Sequence, residues 1–137
     1  MTAPTHANAN AHPNKPTTWI ESTAVMVQDR ERSKAWYRDQ LGFDVLSDSD
    51  HWVTVGRKGR GGQIHLCQVS EAGKGATLEP GNTGILVYVR GELHPTYERL
   101  LRDGVKFSQG VTKMPWGTYC MVVDPDGNEL ILMEATE

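Results

Sequence analysis

The chain of 137 residues carries 14 Lys and Arg against 17 Asp and Glu, which gives a formal net charge of −3. This balance excludes a nucleic-acid-binding protein that depends on a basic surface. The length is that of one domain with its own hydrophobic core, and no apolar run approaches the roughly 18 residues of a membrane span.

Residues 1–18 predict a disordered tail. They are mainly Ala, Pro, Thr, Asn and His without hydrophobic periodicity, so they cannot bury enough apolar surface to offset the entropy lost on ordering. The segment lacks the apolar core of a secretion signal, and the two cysteines, Cys67 and Cys120, form no CxxC pair. We therefore expect a cytoplasmic protein without a disulfide framework.

Residues 19–69 predict one strand, one helix and three short strands. Trp19–Val27 alternates like a strand, Asp29 is typical of a helix N-cap, and Gly42 is typical of a helix end. Strands are predicted next at 43–46, 51–55 and 63–69. The basic segment RKGRGG, residues 57–62, is interpreted as a hairpin tip, because no helix follows it and a phosphate-loop Gly-Lys-Ser/Thr is absent.

The same order of elements returns over residues 83–135. A strand is predicted at 85–89, a helix from His94-Pro95 to Gly104, and strands at 105–108, 118–123 and 129–134. The tetrapeptide DPDG, residues 124–127, separates the last two strands. It is a strong hairpin signal, because proline presets its φ angle and glycine accepts a positive one.

A constant shift of 62 residues relates the two halves: Val25, Val27 and Gly42 correspond to Val87, Val89 and Gly104. Such a repeat predicts an α+β fold of two tandem βαβββ modules, 19–69 and 83–135, whose sheets curve around a concave cavity. Together they form a single domain over 19–135. The alternative is a ferredoxin-like βαββαβ domain, which has two strands between its helices where three are predicted here.

Two segments resemble signatures of the vicinal oxygen chelate superfamily. VQDRERSKAWYRDQLGF, residues 27–43, is similar to its first-half signature, and WG at 116–117 followed by DPDGN at 124–128 is similar to its second-half signature. The resemblance covers about residues 19–135 and implies the tandem-module fold. The superfamily includes glyoxalase I, extradiol dioxygenases, methylmalonyl-CoA epimerase, fosfomycin-inactivating transferases and bleomycin-binding resistance proteins, so the site has to decide the function.

In the metal-binding members, ligands lie in the first and last strands of each half. The resemblance places these positions at Ser22, His65, Gly84 and Ile131. Divalent metals of this class require three or four His or carboxylate ligands, and only His65 supplies one. We therefore predict neither a metal nor another cofactor. A displaced metal site that recruits His51 or Glu129 is the alternative.

Aromatic side chains are the other feature of the predicted cavity. Flat rings bind planar or apolar ligands by contact area and stacking, although they are equally common in cores and dimer contacts. The predicted ligand-binding residues are Trp52, His65, Cys67, Trp116, Tyr119 and Ile131. His65 is also the candidate catalytic acid or base, and the alternative is a hydrogen-bonded strand histidine without a role.

These residues favour a metal-independent protein that binds a small, aromatic or conjugated molecule and sequesters it, as the bleomycin-binding members do. The alternative is a glyoxalase-like lyase, isomerase or cyclase that uses His65 without the usual metal. Exposed sheet edges and apolar cavity rims also predict a homodimer, because two-fold association is the commonest way to cover such surfaces. Neither a nucleic acid nor a membrane is an expected partner.

Overall fold

The computed structural model describes residues 16–18, 20–49, 53–71, 79 and 81–135, and these form two βαβββ modules. The first module comprises β1 (Thr23–Val27), α1 (Arg30–Leu41), β2 (Asp44–Asp48), β3 (Val53–Gly56) and β4 (Gln63–Gln68). The second comprises β5 (Gly81–Val89), α2 (Leu93–Arg102), β6 (Lys106–Met114), β7 (Gly117–Val123) and β8 (Asn128–Glu134). The predicted α+β class and element order are confirmed.

Each module forms a four-stranded sheet with the same topology. The strand orders are β1-β4-β3-β2 and β5-β8-β7-β6. The first and last strands of each module pair in parallel, and the other neighbours pair antiparallel. As a result, β1 and β5 are equivalent edge strands, and the internal repeat of the sequence becomes a repeat of strand pairing.

One side of each sheet is covered by the helix of its own module. Helix α1 packs on β2, β3 and β4, and α2 packs on β6, β7 and β8. The helix-facing side chains form one buried apolar cluster, to which Leu66 and Val53 contribute from the first sheet and Leu130 and Val122 from the second. We call the opposite side of each sheet its open face. Neither helix of the described chain is long and apolar enough to cross a membrane.

The two helices begin in different ways. The Asp29 carboxylate accepts hydrogen bonds from the amides of Glu31 and Arg32 at 3.0 and 3.1 Å, so α1 is capped locally as predicted. Glu92 makes no such bond at α2. Instead, the Leu93 amide donates to Glu134 Oε2 at the end of β8, 2.8 Å away. A carboxylate from another element therefore satisfies the first turn of α2.

The DPDG turn joins the modules. Asp124 is buried and accepts hydrogen bonds from the amides of Asp126 and Asn128 and from Asn128 Nδ2 at 2.8–2.9 Å. The Tyr37 hydroxyl of α1 donates to the same carboxylate at 2.7 Å, and Asn128 Nδ2 also donates to Met26 O in β1 at 3.1 Å. Burial and the adjacent Asp124 raise the pKa of Tyr37 far above its usual value, so the hydroxyl remains a donor.

Some predicted strand ends are wrong. Strand β1 begins at Thr23 rather than at residue 19, which lies outside the described residues together with 1–15 of the predicted tail. Strand β5 begins at Gly81 rather than at 85, and β6 continues to Met114 rather than ending at 108. Both strands contain register shifts that interrupt the alternation of side chains, and such bulges hide a strand from a period-two pattern.

Candidate functional site

Two rows of side chains cross the open face of the second sheet. Pairing aligns Thr112, Tyr119, Met133 and Tyr88 in the first row, and Gln109, Met121, Ile131 and Leu86 in the second. Residues directly opposite one another on neighbouring strands point to the same face. The alternating burial of β7 and β8 assigns these rows to the side away from α2. The face is therefore dominated by aromatic, thioether and aliphatic groups.

Trp116 extends the first row from the turn between β6 and β7. Its ring stacks on Tyr119 with the centroids 5.2 Å apart and the planes inclined by 26°. Trp116 is 60% exposed and Tyr88 is 63% exposed, so both ends of the row present rings to solvent. A Cβ added at Gly117 would lie 3.1 Å from Met133 Sδ, so the glycine allows the thioether to approach the turn closely.

The open face of the first sheet is smaller and more polar. His65 is aligned with Ala24 and Thr54, and its side chain is only 7% exposed. His65 Nδ1 lies 3.4 Å from Thr54 Oγ1, at the long limit of a hydrogen bond. Burial lowers the pKa of His65 below its usual range, so the neutral imidazole is favoured near pH 7. Cys67, partly buried, follows opposite Met26 in the next row.

A cleft of about 1210 Å³ lies between the modules. Its walls are the segment before β1, the end of α1, the β3–β4 hairpin and the edge strand β5. None of the described ligand-site candidates, His65, Cys67, Trp116, Tyr119 and Ile131, lines this cleft. Leu86 and Tyr88 of β5 border both the cleft and the open face of the second sheet.

Comparison with known proteins places this geometry in a family. The model of the Glyoxalase/Bleomycin resistance protein/Dioxygenase superfamily matches residues 19–132. The chain belongs to this superfamily. The resemblance predicted from residues 27–43 and 116–128 is thereby confirmed, together with the tandem-module fold.

Several known proteins are similar to this chain over most of their length. A member from Sphaerobacter thermophilus has a crystal structure with a TM-score of 0.73, is 30% identical, and the match covers 87% of this chain and 98% of that one. TnmS3, an antibiotic-binding protein from Streptomyces, has a TM-score of 0.68 and 28% identity over 90% of this chain and 100% of that chain. YetH of Bacillus subtilis is 28% identical over 84% of this chain and 97% of its own.

The residues at the superfamily's metal positions do not fit a metal ion. Ser22 is exposed before β1, Gly84 has no side chain and a φ of 74°, and Ile131 is apolar. His65 is flanked across the sheet by Ala24 and Thr54, neither of which is a strong metal ligand. Within residues 16–18, 20–49, 53–71, 79 and 81–135, no three His, Cys, Asp or Glu side chains gather to hold a metal.

The predicted site residues are distributed over two faces. Trp116, Tyr119 and Ile131 share the open face of the second sheet, whereas His65 and Cys67 lie on that of the first. Trp52 and His51 lie outside the described residues. Glu129 is on the second face, one row beyond Ile131 and paired with Val123.

Sequence reasoning missed two exposed apolar members of the second face, Leu86 and Tyr88. Their positions in predicted strands were available, and the shift of 62 residues relates Leu86 and Tyr88 to Ala24 and Met26. The exposure of these side chains could not be predicted, because alternation shows that a strand has two faces but not which face is covered.

Proposed function

We propose that this superfamily member binds an aromatic or conjugated small molecule on the open face of the second sheet and sequesters it without a metal. The observation that carries the proposal is the exposed Trp116–Tyr119 stack, continued across the sheet by Met133 and Tyr88. Ring faces and thioethers form a flat, polarisable surface that suits a planar ligand. The similarity to TnmS3, an antibiotic-binding protein, supports this class of function.

The chemistry around the stack favours binding over turnover. The row that contains Tyr119 and Met133 also carries Thr112 and Tyr88, and the carboxylate on this face, Glu129, is two rows away. A general acid or base has to be within hydrogen-bond reach of the reacting atom. The row beside Trp116 offers hydroxyl groups but neither a carboxylate nor an imidazole, and we propose that a molecule stacked there is retained by contact area rather than transformed.

The test is calorimetric titration with 2-naphthol, a neutral planar compound, and with its saturated analogue decahydro-2-naphthol. Trp116→Ala should weaken 2-naphthol binding by about 1–3 kcal/mol, because it removes stacking and buried area. Leu101→Ala is the matched control, since Leu101 is 48% exposed but lies on α2. The proposal would be refuted if the wild type, Trp116→Ala and Leu101→Ala bind 2-naphthol with equal affinity. It would also be refuted if decahydro-2-naphthol binds as tightly as 2-naphthol.

His65 supports a second candidate function, an enzyme that uses the histidine as an acid or base. The observation in its favour is the buried imidazole of His65, whose lowered pKa favours the neutral form that can act as a base near pH 7. If a bound compound is converted, His65→Ala should reduce the rate about a hundredfold or more while binding survives. Mass spectrometry of the compound before and after incubation decides between sequestration and turnover.

We further propose that the protein is a homodimer. Leu86 and Met114 are large hydrophobic side chains exposed on β5 and β6, the two edge strands of the second sheet, and a second copy is a common partner for such exposed edges. Light scattering after size exclusion should give twice the chain mass at micromolar concentration. A single-chain mass would refute the dimer while leaving the ligand proposal intact.

Metal independence and a cytoplasmic location complete the proposal. The side chains at Ser22, Gly84 and Ile131 supply no ligand set, so EDTA should leave 2-naphthol affinity unchanged, and stoichiometric Zn, Ni, Mn or Fe in purified protein would contradict this. Both cysteines are free thiols in the structure, which suits a reducing compartment. Recovery of the protein in the periplasmic or secreted fraction would contradict the location.

A further inference from the structure

The cleft between the modules is a cavity outside the Trp116–Tyr119 stack, and Leu86 and Tyr88 border both. Its volume of about 1210 Å³ is above the range of about 300–1,000 Å³ for small-molecule sites. Residues 20–23 line the cleft at the start of β1 and residues 85–90 line it along β5, whereas Asn128 holds Met26 O near the other end of β1 at 3.1 Å. The cleft is therefore a consequence of how the two modules are joined.

The floor of the cleft is apolar and comes from both modules. Leu41 and Phe43 contribute from the end of α1 and the residues after it, and Ile85 and Val87 contribute from β5. All four are partly buried and pack against the hydrophobic core. Helix α2 packs on β6, β7 and β8, so this margin of the second sheet is left beside the cleft. An apolar ligand body would displace water from it favourably.

The rim of the cleft is basic, although the chain as a whole has a net charge of −3. Its lining contains five basic side chains, Arg57, Lys58, Arg60, Arg90 and Arg99, against two acidic ones. Five positive and two negative charges leave an excess of three among the lining residues, and Arg57 and Arg99 are paired with Asp44 and Asp103 beside the lining. A positively charged, partly apolar cavity concentrates anions and disfavours cations.

Several charged groups of the lining already have partners. Arg57 pairs with Asp44 at 3.4 Å and donates to Gly42 O at 2.7 Å. Asp39 pairs with Arg38 at 2.7 Å. The Arg99 guanidinium donates to Gln40 O at 2.6 Å and pairs with Asp103 at 3.2 Å. These bonds leave Arg99 as part of the wall between α1 and α2 rather than as a free anion receptor.

Lys58 and Arg90 differ from these groups. Among residues 16–18, 20–49, 53–71, 79 and 81–135, neither side chain has a carboxylate within 4.0 Å. Lys58 lies in the β3–β4 hairpin and Arg90 follows β5, so the two modules each place one unpaired cation on the cleft. Such cations bind carboxylate and phosphate oxygens through charge-assisted hydrogen bonds.

We propose that the cleft binds an amphipathic organic anion, whose apolar body lies on the floor and whose carboxylate or phosphate group is held by Lys58 and Arg90. This site is separate from the aromatic stack at Trp116 and does not depend on the proposed function. It also gives a role to the basic hairpin segment, which is otherwise only a turn.

The experiment is calorimetric titration of the full chain with decanoate, decyl phosphate, decan-1-ol and inorganic phosphate. We expect saturable binding of the two amphipathic anions, at least tenfold weaker binding of the alcohol, and no saturable binding of inorganic phosphate. The tighter of the two anions identifies the acidic group that the cleft prefers. Equal binding of decan-1-ol, or binding of inorganic phosphate as tight as that of the anions, would overturn the proposal.

Variants assign the effect to the cleft. Lys58→Gln combined with Arg90→Gln should weaken decanoate binding about tenfold or more and leave decan-1-ol unchanged. Arg102→Gln removes an exposed arginine of α2 outside the cleft and is the matched control. An equal loss in this control would attribute the effect to general surface charge and overturn the assignment.

The two proposed sites can be tested independently. Trp116→Ala should leave decanoate affinity unchanged, and the Lys58→Gln/Arg90→Gln variant should leave 2-naphthol affinity unchanged. Far-UV circular dichroism and the melting temperature establish that each variant is folded. If Trp116→Ala weakens decanoate as much as the double variant does, the anion binds at the open face and the cleft is not its site.

Discussion

The open faces of the two sheets occupy equivalent positions in the repeat and differ in chemistry. The pairs related by the repeat and by strand pairing are Ala24 and Leu86, Met26 and Tyr88, Thr54 and Met121, and His65 and Ile131. The first face is small and polar, and its histidine is 7% exposed, whereas Tyr88 on the second is 63% exposed. One backbone arrangement thus presents two different surfaces.

The helix-facing sides of the two sheets carry similar side chains at equivalent positions. Val25 and Val87 are equivalent, and so are Leu66 and Leu132, and all four face the apolar core. Core positions have to be apolar because burial there supplies most of the stabilisation. The open faces are free of that constraint, so their side chains are available for function.

The largest expected effect concerns Asp124, in the DPDG turn that joins the two modules. Asp124→Ala should lower the free energy of unfolding by about 3 kcal/mol or more, because buried donors on Tyr37 and Asn128 lose their acceptor. Urea unfolding measures the change. Asp39→Ala, at an exposed pair with Arg38, should leave the free energy of unfolding nearly unchanged. Similar losses in the two variants would show that the modules are not joined through Asp124.

Equivalent positions on the two faces should respond differently to truncation. Tyr88→Ala should weaken 2-naphthol binding by about 1–2 kcal/mol, because an exposed ring of the second face is lost. Met26→Ala, at the equivalent position of the first face, should change the affinity by less than about 0.5 kcal/mol. Calorimetry of both variants gives the ranking, and the reverse order would place the ligand on the first face.

A pH effect should be confined to the first face. The folded state lowers the pKa of His65, so the unfolded chain takes up a proton first, near the ordinary value of about 6.5. Stability from the neutral imidazole is therefore present above that pH and is lost as the pH falls. Relative to His65→Gln, the wild type should lose free energy of unfolding between about pH 7 and pH 5. If the free energies of unfolding of the wild type and of His65→Gln change in parallel with pH, this expectation is wrong.

The smallest effect is a difference in thiol reactivity. Cys120 faces the helix, is fully buried, and has its pKa raised by burial to about 12, which disfavours the reactive thiolate. Cys67 is partly buried on the first open face. Ellman's reagent at pH 8 should therefore label one thiol in the native protein and two in urea. Native labelling should disappear in Cys67→Ser, and rapid labelling of Cys120 would contradict its placement.

Local signals in the sequence determined the modules. The Asp29 cap, the end of α1 at Gly42 with a φ of 72°, and the DPDG turn with Gly127 at 89° all appear as predicted. These features depend on side-chain-to-backbone bonds and φ preferences within a few residues. The 62-residue repeat then indicated the order of elements in two βαβββ modules, whereas the superfamily was indicated by the resemblance of residues 27–43 and 116–128 to its signatures.

Non-local pairing decided the strand ends and one helix start. Strands β5 and β6 extend through register shifts because a neighbouring strand holds them, although their sequences do not alternate there. Leu101, which helical spacing places on the apolar stripe of α2, is 48% exposed. The first turn of α2 depends on Glu134, 41 residues away along the chain.

The sequence by itself therefore determined two βαβββ modules, their caps and turns, and a set of aromatic and histidine candidates. Only the tertiary structure decided that Trp116 and Tyr119 share an exposed face, that His65 lies on the other sheet, and that a basic cleft separates the modules. The reason is physical: caps and turns are local interactions, whereas exposure and the cleft depend on which surfaces distant segments cover.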